Sequence, residues 1–195
     1  MHLIGVYDYT VILTYLSLVS SMAGILLASR GRFTAAILCL MLSGICDMFD
    51  GVVARSKKNR TDDEKNFGIQ LDSLCDVVCF GAFPALLLYC MGVNSIPGIA
   101  LLLFYVLCAV IRLAFFNVLE TKRQATEGGC AKSYRGLPVT TSAMILPFFY
   151  LIGSLLPAGA RMVLYHLLPP VVGFLFILDF RIPKIDLAKV LCGKK

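Results

Sequence analysis

Four aspartates flank a short charged loop at the point where two apolar segments of the chain meet. The stretch reads DMFDGVVARSKKNRTDDEKNFGIQLDSLCD, and the four residues are Asp47, Asp50, Asp72 and Asp76. Crowded carboxylates repel one another unless a cation lies between them. Mg²⁺ binds proteins through a few carboxylates together with substrate phosphates, and two such ions can clamp the attacking and leaving oxygens of a phosphoryl transfer. The aspartates therefore predict a phosphoryl-transfer site for a divalent cation, Mg²⁺ or Mn²⁺, with two ions expected.

Helical periodicity places these carboxylates on two stripes that face each other. The first stripe consists of Asp47, Asp50, Gly51 and Ala54. The second stripe consists of Gly68, Asp72 and Asp76. Residues three or four apart share a helix face, and the polar loop SKKNRTDDEKN is short enough to make the two helices antiparallel neighbours. Small residues on a stripe leave room for a ligand or allow close helix packing, and Arg55 is a fixed cation that can fork onto phosphate oxygens.

The segments that carry these stripes belong to a very apolar chain. Of its 195 residues, 58% are hydrophobic and 15% are charged, whereas an ordinary soluble domain has roughly 25% charged residues. A membrane-spanning helix needs about 20 apolar residues, and we predict six helices, at 10–29, 33–55, 67–91, 97–118, 138–156 and 162–179. The expected fold is all-α: a polytopic membrane protein whose six-transmembrane-helix bundle forms one domain over residues 1–195. Kinks are expected at Pro84, Pro147 and Pro169–Pro170.

The basic residues predict the orientation of this bundle. With the amino terminus in the cytoplasm, fourteen of the eighteen Lys and Arg lie in the cytoplasmic loops and tail, in agreement with the positive-inside rule. The acidic site then lies at the cytoplasmic side of the cytoplasmic membrane, and both termini are cytoplasmic. Basic residues at that surface attract anionic headgroups, so the net charge of +6 indicates membrane lipids, and no nucleic acid, as partners.

The aspartate pattern resembles the signature of the CDP-alcohol phosphatidyltransferase family. That signature, D-x2-D-G-x2-A-R-x(n)-G-x3-D-x3-D, is matched at all eight fixed positions by DMFDGVVAR, twelve further residues and GIQLDSLCD. The gap is longer than in many family members, which enlarges the loop and changes no motif residue. The stretches QLDSLCDVVCFGAFP, RLAFFNV and YRGLPVTTSA are similar to the subgroup that uses L-serine as acceptor. Two positions depart from the pattern, with Cys79 where serine is expected and Ser17 where asparagine is frequent.

The resemblance implies transfer of the phosphatidyl group of CDP-diacylglycerol to L-serine, with release of CMP. It implies Asp47, Asp50 and Asp72 as metal ligands, with Asp76 nearby as a candidate ligand of a second ion. Asp76 is also the candidate general base, because a hydroxyl is a poor nucleophile until a positioned base removes its proton. The residues implied to bind CDP are Asp47, Asp50, Gly51, Ala54, Arg55 and Asp72. The family likeness also implies a homodimer.

The basic residues near the site predict where the acceptor binds. L-serine carries a carboxylate, so its site needs a cation. Arg112 is the basic residue inside a helix, Asn117 follows it at the cytoplasmic end of that helix, and Arg135 stands beside Gly136 in the next loop. These three are the candidate acceptor-binding residues. The alternative for Arg112 is packing with its charged end directed to the membrane surface, and the alternative for Arg135 is an ordinary positive-inside role.

Three other functions fit parts of the pattern. The same chemistry can serve glycerol 3-phosphate, inositol or inositol phosphate, although a phosphorylated acceptor calls for a denser basic cluster. A prenyltransferase also uses aspartates with Mg²⁺, but it is not expected to show the D-G-x2-A-R pattern. A small cation transporter would place carboxylates near the bilayer midplane and often shows inverted repeats, of which the sequence has no sign. Release of CMP separates the transferase from the transporter.

Overall fold

Apolar helices make up most of the computed structural model, which describes residues 5, 7–57, 61–125 and 133–183. In chain order the helices are α1 (Ile12–Ser29), α2 (Phe33–Ser56), α3 (Asp62–Asp76), α4 (Phe83–Cys90), α5 (Ile96–Ala125), α6 (Ser142–Leu155) and α7 (Ala158–Ile177). The π-helix Val77–Ala82 joins α3 to α4, so that Asp62–Cys90 is one continuous rod. Two three-residue strands, β1 (Ser133–Arg135) and β2 (Arg181–Pro183), pair antiparallel. The predicted all-α class is confirmed, with this short ribbon as an addition.

Five of the described helices are long and apolar enough to cross a membrane. They are Ile12–Ser29, Phe33–Ala54, Asp62–Cys90, Ile96–Leu119 and Ala158–Ile177. The remaining predicted segment forms the shorter apolar helix Val139–Leu155, so a sixth crossing stays a prediction. The chain is a polytopic integral membrane protein.

The rod Asp62–Cys90 lies at the centre of the bundle. Within its most apolar window 61% of the residues are buried, against 28% to 33% in the other four candidate spans. Phe80, Phe83 and Leu87 are completely buried there. Helix α1 approaches this rod so closely at Gly24 that a Cβ would collide with the Phe83 ring. The rod that carries Asp72 and Asp76 is therefore fixed by packing from its neighbours.

The predicted loop 56–66 is shorter in the structure, because α3 begins at Asp62 instead of residue 67. Thr61 and Glu64 form a capping box: the Thr61 hydroxyl accepts from the Glu64 N–H at 3.2 Å, and the Glu64 carboxylate accepts from the Thr61 N–H at 3.0 Å. The acidic residues in this first turn also complement the positive end of the helix dipole. Helix α5 likewise extends beyond the predicted residue 118, to Ala125.

The prolines lie inside or beside helices, as the sequence predicts. Pro84 is in the first turn of α4, directly after the π-helix, while Pro147 and Pro169–Pro170 lie inside α6 and α7. Proline has no N–H, so each one removes a backbone hydrogen bond from its helix. At Pro84 the regular α-helical pattern does change, and bending at the other prolines stays a prediction.

Candidate active site

Three carboxylates from two helices converge at one end of the bundle. Asp47 and Asp50 lie on α2 and Asp72 lies on α3, and one oxygen of each lies within 4.8 Å of the others. Asp50 is buried, and Oδ1 of Asp72 is a buried acceptor without a hydrogen-bond partner among the described residues. Oxygen ligands are what hard divalent cations prefer. Three converging carboxylates with an unsatisfied oxygen therefore fit such an ion, as the helical spacing predicts.

Asp76 joins this cluster from the last position of α3, where it is buried. Its carboxyl group is in hydrogen-bonding contact with that of Asp47, and Asp50 has the same relation to Asp72. Two ionised carboxylates at this range repel each other unless a proton or a cation lies between them. The four aspartates therefore form one electrostatic unit whose stability depends on a positive charge.

Helix α1 adds a polar contact that the sequence analysis missed. The Thr14 hydroxyl donates to Oδ2 of Asp50 at 3.2 Å, and both side chains are buried. Farther along the same face, the hydroxyl oxygens of Ser17 and Ser43 are 2.7 Å apart, and Ser21 donates to Ser43 at 2.9 Å. The signal was present as the hydroxyl residues Thr14, Ser17 and Ser21, which share one face of a largely apolar helix. Hydroxyl side chains in membrane helices form hydrogen bonds to neighbouring helices, so this face of α1 was predictable as a helix interface.

The other predicted CDP-binding residues lie on the same helix as the first two aspartates. Gly51 and Ala54 are half-buried on α2, within two turns of Asp47. The backbone of Arg55 belongs to the last turn of α2, and its side chain lies outside the described part of the structure. The structure therefore supports the stripe of small residues, while the phosphate contact of Arg55 stays a prediction.

Arg112 is a buried cation on α5. Its side chain is 7% exposed, and its Nε has no hydrogen-bond partner among the described residues. The guanidinium carbon lies 5.8 Å from the centroid of the Phe116 ring, which provides a cation–π contact. No ion pair in the described part of the chain includes Arg112. A buried charge without a counter-charge is unfavourable, so this guanidinium is suited to an anionic ligand.

Asn117 is connected to the aspartate helix by a residue that the sequence analysis did not single out. The Ser73 hydroxyl donates to Oδ1 of Asn117 at 2.7 Å. Ser73 lies between Asp72 and Asp76 on α3, one position after Asp72. The predicted acceptor residue Asn117 therefore does contact the helix that bears the predicted base.

The loop that contains Arg135 and Gly136 lies against the end of α7, next to Arg112. The Gly136 N–H donates to the Phe180 carbonyl at 2.7 Å. A Cβ at Gly136 would lie 3.5 Å from Nε of Arg112. The backbone of Arg135 forms part of β1, and its side chain lies outside the described part of the structure. The position of this loop is consistent with the predicted acceptor site, and the role of Arg135 itself stays a prediction.

Substitution of Gly136 by alanine is expected to weaken folding. Gly136 has a φ of 70°, and a Cβ there would lie 3.0 Å from the Phe176 carbonyl oxygen. A non-glycine residue in this conformation costs about 1–3 kcal/mol. Thermal unfolding in detergent should show a lower melting temperature for Gly136→Ala. The matched control is Gly159→Ala, where a Cβ meets nothing within 4 Å; an equal loss in both variants would contradict the expectation.

A salt-bridge network lies where the chain enters α1 and leaves α2. The Lys57 ammonium is 2.8 Å from Oδ2 of Asp8 and 3.0 Å from Oε1 of Glu64. The hydrogen bond from Lys57, together with bonds from the hydroxyl and N–H of Thr10, lowers the pKa of Asp8 to about 2. The contact with Asp8 in turn raises the pKa of Lys57. The network therefore links the segment before α1 to the loop between the two aspartate stripes.

The lowered pKa of Asp8 predicts a pH dependence of stability. A carboxylate whose pKa is lower in the folded state stabilises the fold above its unfolded pKa, and this contribution is lost as the pH falls through the folded value. For Asp8 the ordinary value is 3.8 and the folded value is about 2. Asp8→Asn should therefore lower the melting temperature at neutral pH, and the difference from the unmodified protein should disappear as the pH falls from about 4 to 2. The exposed Asp179→Asn serves as control, and a difference that persists at the lowest pH would contradict this origin.

Comparison with known proteins agrees with the pattern of the site. The family described as CDP-alcohol phosphatidyltransferase matches residues 9–175. An archaetidylserine synthase from Methanothermobacter thermautotrophicus is 34% identical over 176 residues, which cover 90% of this chain and 69% of that protein. A CDP-diacylglycerol–serine O-phosphatidyltransferase from Methanocaldococcus jannaschii is 33% identical over 183 residues, or 93% of this chain and 75% of that protein. A CDP-diacylglycerol–serine O-phosphatidyltransferase from Saccharomyces cerevisiae is 39% identical over 113 residues, which cover 56% of this chain and 40% of that protein.

Proposed function

The chain belongs to the CDP-alcohol phosphatidyltransferase family, and we propose that it transfers the phosphatidyl group of CDP-diacylglycerol to L-serine with release of CMP. The names of the similar proteins support serine as the acceptor, because all three contain it. The observation that carries the proposal is the buried guanidinium of Arg112, whose Nε has no partner in the described structure. Among the acceptors considered, serine is the one that brings a carboxylate to such a cation.

The acidic cluster is proposed to bind two divalent metal ions, either Mg²⁺ or Mn²⁺. Asp47, Asp50 and Asp72 would be the ligands, and Asp76 would complete a second position beside Asp47. Bound there, the metal would neutralise the crowded carboxylates and the charge that develops on the transferring phosphoryl group. The unsatisfied Oδ1 of Asp72 and the contact between paired carboxyl groups support this assignment.

The donor nucleotide is proposed to bind along the stripe of α2. Asp47, Asp50, Gly51, Ala54 and Arg55, together with Asp72 of α3, would line the CDP pocket. The half-buried Gly51 and Ala54 leave space beside the carboxylates, and the guanidinium of Arg55 would fork onto the phosphates. Thr14 orients Asp50 through its hydroxyl at 3.2 Å, so α1 contributes to the same pocket.

Asp76 is proposed to be the general base. It would take the proton of the serine hydroxyl while the serine oxygen forms a bond to the phosphorus of the phosphatidyl group. The bond from that phosphorus to the CMP oxygen breaks, and CMP leaves with the electron pair. The burial of Asp76 and its position one turn after Asp72 support this role, because a base must lie within hydrogen-bonding reach of the proton that it removes.

The acceptor site is proposed to lie between α5 and the loop before α6. Arg112 would bind the serine carboxylate, Asn117 would be held toward the aspartates by Ser73, and Arg135 would contribute a second cation. The hydrogen bond between Ser73 and Asn117 and the closeness of Gly136 to Arg112 support this grouping. Phosphorylated acceptors are less well matched, since one described buried guanidinium offers little charge for a phosphate dianion.

The orientation of the chain and the membrane in which it lies are proposed from the distribution of its basic residues. In the predicted six-helix topology most Lys and Arg lie on the same side of the membrane as the aspartates. By the positive-inside rule, this distribution supports a cytoplasmic site, cytoplasmic termini and a location in the cytoplasmic membrane. The family likeness supports a homodimer.

The test is release of CMP by purified protein supplied with CDP-diacylglycerol and either Mg²⁺ or Mn²⁺. L-serine, glycerol 3-phosphate and inositol are offered in turn, and a chelator removes the metal in a parallel series. Serine-dependent release that the chelator abolishes supports the proposal. Release with another acceptor would retain the aspartate chemistry and overturn the assignment of serine. No release with any acceptor, from protein that remains folded, would favour the cation transporter.

A further inference from the structure

Pro84 leaves the carbonyl group of Phe80 without its usual backbone donor. In an α-helix the carbonyl of one residue accepts from the N–H four positions later, and residue 84 is a proline, which has no N–H. Phe80 is completely buried in the central rod of the bundle. Within a membrane protein a buried backbone group without a partner is strongly unfavourable. The Phe80 carbonyl is therefore left without the donor that a regular α-helix would supply.

Two neighbouring helices supply that donor. The Tyr105 hydroxyl of α5 donates to the Phe80 carbonyl at 2.6 Å, and the Ser142 hydroxyl at the start of α6 donates to it at 3.4 Å. Tyr105 is buried, and its ring packs at a tilt against Phe176 with 5.5 Å between the ring centroids. The shorter bond, from Tyr105, is the main replacement for the hydrogen bond that Pro84 removes.

The replaced bond lies within the π-helix Val77–Ala82. This segment follows Asp76 directly, and the N–H of Phe83 donates to the Val78 carbonyl five residues earlier. A π-helical turn inside an α-helix is rare and is found frequently at functional sites. The backbone that follows Asp76 is therefore irregular, and side chains from α5 and α6 hold it in place.

We propose that Tyr105 is a positioning residue for Asp76. Its hydroxyl fixes the freed carbonyl of Phe80, which holds the π-helix and so keeps the Asp76 carboxyl directed at the other aspartates. This inference rests on the proposed function, in which Asp76 is the general base. Within the described part of the chain, the hydroxyl of Tyr105 bonds to Phe80 and Ser142 and to none of the four aspartates, so its effect passes through the backbone.

The direct test is Tyr105→Phe, which removes the hydroxyl and retains the ring. A misplacement of about 1 Å can reduce a rate about 100-fold, so kcat for CMP release should fall by about 10-fold to 100-fold. The KM for CDP-diacylglycerol should stay within about twofold, because the donor is bound by α2 and the metal. The matched control is Tyr165→Phe, which alters another buried tyrosine on α7. Equal activity of the two variants would overturn the positioning role.

A rescue experiment separates this role from a general loss of packing. Pro84→Ala restores an N–H that can donate to the Phe80 carbonyl. If the Tyr105 hydroxyl acts through that carbonyl, the double variant Tyr105→Phe/Pro84→Ala should recover much of the kcat that the single variant loses. Independent sites show additive effects, so additive losses would contradict the proposed route.

Hydrogen–deuterium exchange distinguishes failure of this inference from failure of the proposed function. Peptides covering residues 77–82 should exchange faster in Tyr105→Phe than in Tyr165→Phe, whether or not the protein is active. Faster exchange with lowered kcat supports the inference. Unchanged exchange contradicts it even when the unmodified protein releases CMP with serine. If the unmodified protein releases no CMP, faster exchange in Tyr105→Phe would still show that the Tyr105 hydroxyl holds the π-helix. The lack of CMP release would overturn both the proposed function and the role of Asp76.

Discussion

Asp76→Asn is expected to reduce serine-dependent CMP release by about 100-fold to 10,000-fold, the contribution that a positioned general base makes. Asparagine has nearly the same shape as aspartate and cannot accept the hydroxyl proton. The residue is buried at the end of α3 and contacts Asp47, so the substitution leaves its surroundings packed. Steady-state kinetics should place the loss in kcat, and binding of CDP-diacylglycerol should persist.

Metal titration distinguishes a base from a ligand in this cluster. Asp72→Asn should lose activity because it binds metal less tightly, and higher Mg²⁺ or Mn²⁺ should restore part of that loss. Asp76→Asn should recover little in the same titration, because the proton acceptor is missing even when both ions are bound. The control is Asp63→Asn, an exposed aspartate in the first turn of the same helix, which should retain full activity. Recovery of Asp76→Asn at high metal would show that Asp76 acts chiefly as a ligand.

The convergence of the carboxylates was predictable because it depends on local periodicity. Residues three or four apart share a helix face whatever surrounds the helix, and a short loop brings two such faces together. The structure confirms that Asp47, Asp50 and Asp72 meet within 4.8 Å. The individual roles of these residues stay predictions, because geometry alone does not distinguish a ligand from a base.

The parts that sequence analysis missed depend on contacts between distant segments or on small local signals. The hydrogen bond from Thr14 to Asp50 joins residues 36 positions apart, and that from Ser73 to Asn117 joins residues 44 apart. Hydrophobic periodicity carries no information about such pairs. The start of α3 was placed five residues late because the capping box at Thr61 lies in a charged stretch that resembles a loop.

The π-helix was also beyond the reach of periodicity. The residues of Val77–Ala82 are as apolar as their neighbours, so the hydrophobic pattern shows no change where the turn widens. Pro84 was visible and predicted an irregularity. The partner of the carbonyl that it frees, Tyr105, lies on a different helix and follows only from the structure.

Arg112→Met is expected to raise the KM for L-serine by at least about 30-fold. Removing one partner of a buried hydrogen-bonded charge pair costs about 2–5 kcal/mol, which corresponds to that factor or more. Methionine retains much of the apolar contact with Phe116 and removes the charge. Arg112→Lys retains the charge without the planar fork, so it should be intermediate. The matched control is Arg161→Met, at the start of α7.

Ethanolamine makes this prediction specific, because it is serine without the carboxylate. If the guanidinium of Arg112 binds that carboxylate, Arg112→Met should lose most of the preference for serine over ethanolamine, while the slow reaction with ethanolamine changes little. A purely structural arginine would lower the reaction of both acceptors by the same factor. The two outcomes differ because the carboxylate and the guanidinium form one interaction, and deleting either partner removes it. A preference for serine that survives in Arg112→Met would assign the carboxylate to another cation, with Arg135 as the remaining candidate.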